Sequence, residues 1–176
     1  MTDHELVTLC KRSDRFGQKL LFEKYVGRMT RLCHRYMKDE ENTKDVLTDA
    51  FLKVFQNIKN FIPLGEGSLE AWIRKIVINQ SLMALRKNKN IFLITTFDEQ
   101  QLTEDAVVEI DLAAEDLYKL MLQLHNGYRT IFNLFAIEGY THKEIAEQLS
   151  ITESASRSQL THARSSLKNL LSKKTT

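Results

Sequence analysis

The sequence predicts an all-α protein built as two small helical domains joined by a flexible acidic linker. Three features point there. Only one proline and six glycines interrupt 176 residues, and apolar positions recur mostly at the three-and-four spacing that gathers them on one side of a helix. Beta structure is barely signalled. Charge is also segregated along the chain. Ala71 to Asn90 carries five basic residues (Arg74, Lys75, Arg86, Lys87, Lys89) and no acidic one, whereas Asp98 to Asp116 carries eight acidic residues and no basic one. Ser154 to the end again holds five basic residues (Arg157, Arg164, Lys168, Lys173, Lys174) and no acidic one. The formal net charge of +2 hides these blocks, and it is the distribution that bears on polyanionic partners.

Taken in order, Asp3 can cap a short helix running to about Lys11. A longer helix is predicted from Asp14 or Arg15 to Met37, with Phe16, Leu20, Tyr25, Met29, Leu32 and Tyr36 recurring at helical spacing. Lys38 to Asn42 reads as a polar turn. In DVLTDAFLKVFQNI, Val46, Leu47, Ala50, Phe51, Val54, Phe55 and Ile58 form one continuous apolar stripe flanked by Asp45, Asp49 and Lys53. FIPLGEG breaks that helix at Pro63. Ser68 then caps SLEAWIRKIVINQSLMALRK, with Glu70 in the first turn and basic residues at the end, as the helix dipole prefers.

Residues 88 to about 112 differ in kind: an apolar IFLITTF, a strand or an anchor for the linker, is followed by the acidic spacer. The boundary between domains falls here, giving 1–90, a linker at 91–111, and 112–176. Helical spacing resumes at Leu112, Leu117, Leu120, Met121 and Leu124, breaks at HNG, and resumes in YRTIFNLFAIE.

Several classes are excluded or disfavoured. No apolar run approaches the roughly 18 to 20 residues that span a bilayer, and the N-terminus lacks a basic-then-apolar signal, so a soluble cytoplasmic protein is expected. Cys10 and Cys33 have no metal-site spacing and read as buried thiols. There is no GxxxxGK[ST], HExxH or GxSxG, and the histidines are scattered; neither enzyme chemistry nor a cofactor is indicated.

The ending, GYTHKEIAEQLSITESASRSQLTHARSSLKNLL, carries more. Thr141 and Glu144 form a capping box. Ile145, Ala146 and Leu149 face inward, Ser150 and Ile151 make a turn, and Thr152 or Glu153 starts a second helix with Leu160, Ala163, Leu167 and Leu170 as its buried stripe. That is a helix-turn-helix, whose second helix fits the major groove. Ser154, Ser156, Arg157, Ser158, Thr161, His162, Arg164 and Lys168 are left for its other faces, side chains able to donate to phosphates and base edges.

DVLTDAFLKVFQNIKNF, GSLEAWIRKIVINQSLMALRK and the stretch from Tyr128 to Leu171 together resemble regions 2 and 4 of the extracytoplasmic-function (ECF) group of bacterial RNA polymerase sigma factors. The resemblance spans about residues 5 to 171. It implies that residues 1–90 bind core polymerase and recognise and melt the −10 element, and that residues 112–176 read the −35 element. It implies docking of the helix bearing Asp45, Asp49, Phe51, Leu52 and Lys53 on the β′ clamp coiled coil. Arg74, Lys75, Asn79, Gln80 and Arg86 become candidates for the −10 element, with the Phe61–Ser68 loop beside them and Trp72 more consistent with core packing. The helices from Leu112 to Glu138 would meet the β flap, and a separate anti-sigma protein would occlude these surfaces. Ser150 replaces the family's turn glycine, and Ser156 stands where an apolar residue packs, so Ser156 becomes a candidate base or phosphate contact. The competing reading is a helix-turn-helix regulator with an N-terminal sensing or dimerisation domain, which leaves the basic helix at 71–87 unexplained.

Overall fold

The computed structural model describes residues 1–87 and 114–174, which fall into two compact units. The expected boundary and the IFLITTF segment lie outside the described residues. Among the described residues all regular structure is helical.

In the first unit α1 spans Asp3–Lys11, α2 Arg15–Met37, α3 Glu40–Asn57 and α4 Ser68–Lys87. Helix starts decide the exact bounds. Thr2, not Asp3, caps α1: its hydroxyl accepts from the Glu5 amide, and the Glu5 carboxylate accepts the Thr2 amide at 2.7 Å. Asp14 caps α2 by accepting the Gly17 amide. The polar turn after Met37 is shorter than expected, because Asp39 accepts the Asn42 amide and α3 is already under way at Glu40. Ser68 is not a cap. It is the first residue of α4, and its hydroxyl donates to the Gly65 carbonyl and accepts the Leu64 amide, so it braces the preceding loop instead.

α2, α3 and α4 each pack on the other two, and α1 lies on α2. The core is large and apolar: Leu21, Tyr25, Met29, Cys33, Val54, Ile58, Ile73 and Val77 are all buried. Each of the larger aliphatic members contributes about 1.5–3 kcal/mol by leaving water. The α2 stripe departs from the one expected only at its start: Tyr25, Met29, Leu32 and Tyr36 are buried as expected, whereas Phe16 and Leu20 give way to Gly17 and Leu21. A Cβ on Gly17 would lie 2.4 Å from the Leu9 Cβ, so α1 crosses α2 at this glycine. The buried positions therefore run Gly17, Leu21, Tyr25, Met29, and Phe16 is left 63% exposed. Polar ties cross the helices: Asp3 accepts from Lys24 and from the Tyr25 hydroxyl, and Arg28 pairs with Glu70 at 2.6 Å. Cys10 and Cys33 are free and buried, and burial pushes both thiols up to about 11.

In the second unit α5 spans Ala114–Met121, α6 Asn126–Phe132, α7 His142–Leu149 and α8 Glu153–Lys174. The break expected at HNG lies earlier, over residues 122–125, and takes in only His125 of that tripeptide, whose Nδ1 accepts the Gly127 amide as Asn126 opens α6. α6 continues into a π turn at Asn133–Ile137, a widened turn that often accompanies functional sites. α8 packs on α5, α6 and α7. Arg129 is buried, donating to the Leu124 carbonyl at 2.9 Å and to the Asn126 side chain at 2.6 Å, and burial holds its pKa below the usual guanidinium value.

Candidate nucleic-acid interface

The capping box predicted for α7 is present in full: Thr141 Oγ1 accepts the Glu144 amide, and Glu144 Oε2 accepts the Thr141 amide at 2.8 Å. Ser150 follows in the left-handed region at φ 56°, a conformation for which glycine is suited and serine is strained. Thr152 then accepts the Ala155 amide and starts α8. Ile145, Ala146, Leu149, Leu160, Ala163 and Leu167 are buried, and Leu170 is half-buried. The local code for a helix-turn-helix is thus met at each step.

The helical repeat of α8 brings Ser154, Arg157, Thr161, Arg164 and Lys168 onto one side. Four of them are exposed and Thr161 half-exposed. Arg157 is paired with Glu153 of the preceding turn at 2.9 Å, an exposed pair of small worth that a phosphate can replace. The Thr161 hydroxyl donates to the Arg157 carbonyl. Ser158 and His162 lie on a flank, with His162 stacked on Tyr128 at 5.7 Å between ring centroids. Arg164 lies 6.0 Å from the centroid of Phe135.

Ser156 departs from expectation. It is 0% exposed, and its Oγ lies 2.8 Å from Nδ1 of His142. The spacing along α8 explains this, since position 156 turns toward the side of Leu160, Ala163 and Leu167. In this structure Ser156 is an inward-facing residue and offers nothing to a groove. Its partner, His142, was missed by sequence reasoning. The ring stacks on Phe135 at 4.4 Å. Burial, then the charges of Arg157 and Arg164, hold its pKa below the ordinary imidazole value, with Glu153 opposing.

On α4 the exposed side carries Lys75, Asn79, Met83 and Arg86. Trp72, half-buried and 4.9 Å from the Phe61 ring, stands at the N-terminal end of this stripe. Gln80 and Arg74 are not part of it. Gln80 is 9% exposed with its amide nitrogen 3.7 Å from the Met83 sulfur, and Arg74 is half-buried on another side of the helix. Met83 could have been found from its spacing of four from Asn79. The loop before α4 presents Ile62 and Leu64, 72% and 87% exposed, and no helical or strand period could have flagged them.

On α3, Asp45, Asp49 and Leu52 form an exposed row with Lys53 half-exposed beside it. Phe51 lies beneath, buried between the rings of Phe22 at 4.8 Å and Phe55 at 6.3 Å. Phe22 of α2, itself partly exposed, adds an apolar edge to this face.

Residues 21–91 match the family described as Sigma-70 region 2, and residues 114–167 match Sigma-70, region 4. The chain belongs to the sigma-70 family. Within it, its relatives place it in the ECF group of sigma factors. It is 24% identical to the ECF RNA polymerase sigma-E factor of Haemophilus influenzae, covering 96% of this chain and 95% of that one. It is 24% identical to the ECF RNA polymerase sigma factor SigW of Bacillus subtilis, covering 92% of each. The RNA polymerase sigma-H factor of Pseudomonas aeruginosa is 25% identical, covering 96% and 93%. In fold the chain is similar to the sigma factor RpoE solved in complex with the anti-sigma factor NepR from Bartonella quintana. The TM-score there is 0.52 at 18% identity, covering 88% of this chain and 96% of that one. As an alternative sigma factor it directs promoter-specific transcription initiation, and the reading as a helix-turn-helix regulator with an N-terminal sensing or dimerisation domain is not favoured. Sigma factors are initiation factors rather than enzymes. Among the described residues no helix is long and apolar enough to cross a membrane.

Proposed function

We propose that this sigma factor works in the cytoplasm, docks on core RNA polymerase through α3, reads the −10 element with α4 and its preceding loop, and reads the −35 element with α8. The observation that carries the reading is the pair of acid-free, largely exposed rows, Lys75–Asn79–Met83–Arg86 inside the matched region 2 and Ser154–Arg157–Thr161–Arg164 inside the matched region 4, with Lys168 one residue beyond it. Two weak readers on one chain gain from effective concentration, which makes the spacing of promoter elements part of specificity.

The two rows suit different forms of DNA. α8 carries two arginines that can bridge guanine O6 and N7 or grip phosphates in an intact groove. α4 mixes two basic residues with Asn79 and Met83 and lies in the same unit as a loop that exposes Ile62 and Leu64. Apolar side chains of this kind offset the few kcal/mol of unstacking when bases are turned out of a duplex. On α3, Asp45, Asp49 and Lys53 supply oriented charge around Leu52 and Phe22, with Phe51 supporting them from below. This polar rim on an apolar centre is what a protein partner requires. The α5–α6 region is assigned to the β flap. A separate anti-sigma protein, of the kind seen on the Bartonella sigma factor, would act by covering these rows.

The test is reconstitution: purified chain, core polymerase and a pool of genomic promoter fragments. The expected result is transcripts from particular promoters that appear only with the chain. Within that assay Arg157→Ala should lower use of promoters bearing the upstream element while core binding persists. If binding to core is lost together with upstream recognition, the assignment of α8 fails.

A further inference from the structure

We propose that His142 and Ser156 are positioning residues for promoter reading: their hydrogen bond pins the start of α7 to the inner side of α8 and sets how Arg157 and Arg164 are presented. This rests on the reading of α8 as the helix that meets the −35 element.

The pair is built, not incidental. Ser156 has no exposed surface, so its hydroxyl has left water and requires a partner, and the imidazole Nδ1 stands 2.8 Å away. An apolar side chain at 156 would pack against α7 without a preferred angle. A hydroxyl–imidazole bond weakens steeply once its distance and angle drift, so it restrains rotation of α8 about its own axis. The other partner of the histidine is equally fixed, because its ring lies against Phe135 of the π turn at 4.4 Å with an interplanar angle of 22°. Phe135 is also the ring beside which the Arg164 guanidinium lies, and Arg157 is the next residue along from Ser156. One side chain, His142, thus touches the π turn whose Phe135 lies beside Arg164 and, at Ser156, the turn of α8 from which Arg157 projects, about two turns before Arg164. Burial and those two arginines lower the imidazole's pKa and so favour the neutral ring, whose Nε2-protonated tautomer can accept the serine hydroxyl at Nδ1.

The experiment uses holoenzyme reconstituted from the full chain and core polymerase on two promoters identical except for a scrambled −35 element. The readout is the ratio of initiation rates on the two. His142→Phe keeps a ring against Phe135 but has no acceptor, His142→Asn keeps an acceptor but no ring, and Ser156→Ala removes the hydroxyl. His142→Phe and Ser156→Ala should each lower the ratio about five- to tenfold, the scale of one buried hydrogen bond. The double variant should fall no further than the worse single one, since both break the same contact. His142→Asn should recover most of the ratio, and rates on the scrambled promoter should not change.

An unchanged ratio in His142→Phe, additive losses, or equal losses on both promoters would overturn the inference and leave the reading of α8 intact. A ratio of one in the unaltered chain would overturn the reading of α8 and this inference with it. If Ser156→Ala fails to fold by circular dichroism, the contrast between His142→Phe and His142→Asn decides alone.

Discussion

The interior of residues 1–87 is made of long helices closing on large apolar side chains, and its buried polar residues are few: Thr43, Gln80 and Ser81. The interior of residues 114–174 is smaller, yet it buries Arg129, Thr130, Asn133, Ser156 and Gln159. Apolar burial is non-directional and scales with area, so it holds helices together without fixing the angle of any exposed side chain. Buried hydrogen bonds are directional, and an unmet one is costly, so they hold a particular orientation. The difference matches the two tasks proposed. A unit that captures separated bases can use an exposed apolar loop on a stable scaffold, whereas a unit that reads an intact groove needs its donors aimed.

That contrast can be broken at several points. The largest effect belongs to the apolar core: Ile73→Ala should cost about 2–5 kcal/mol. Trp72, the chain's one tryptophan, sits on the same helix, so its fluorescence during urea unfolding measures the loss directly. Next comes the polar interior. Arg129→Met leaves the Leu124 carbonyl and Asn126 without their guanidinium donor. It should cost about 2–3 kcal/mol, close to the penalty for stranding buried polar groups, read as a lower thermal midpoint by calorimetry. A cost near zero would remove the directional role given to this interior.

Asp49→Lys reverses one charge on the α3 row without touching the core, and it should weaken binding to core polymerase about tenfold, or about 1.4 kcal/mol. An unchanged affinity with folding intact would return that row to an ordinary solvated flank. The smallest effect is at the turn. Ser150→Gly removes a left-handed penalty of roughly 1–2 kcal/mol against an added unfolded-state entropy of about 0.4–1 kcal/mol, so stability should rise by about 0.5–1 kcal/mol, detectable as a rise in the unfolding midpoint.

Much of this was legible in the residues because the signals were local. The Thr141–Glu144 box, the turn at Ser150 and the α3 stripe each depend on a few neighbouring side chains; the box and the turn are present as read, and of the stripe Phe55 alone is half-buried. The misplaced cap at Asp3 had its signal too, since Glu5 stands three residues after Thr2 and not after Asp3. Phe16 was misjudged because the position of the α2 stripe depends on where Leu9 crosses Gly17, a contact between helices that no period records. Gln80 and Ser156 failed for a related reason. Polar type suggested the surface, but helical position buried both: Gln80 lies beneath the exposed Met83, whose sulfur its amide meets, and Ser156 meets His142. The π turn left no mark in the sequence, because the residues that form it are ordinary helix formers.

The most direct test of the division of labour uses promoter templates whose −10 region is either duplex or a pre-opened bubble, transcribed by holoenzyme carrying Lys75→Ala with Asn79→Ala, or Arg157→Ala. If α4 spends its binding energy on opening DNA, the α4 variant should be defective on duplex and recover on the bubble, while Arg157→Ala should be equally defective on both. Recovery of Arg157→Ala on the bubble, with no recovery of the α4 variant, would contradict the assignment of the two helices.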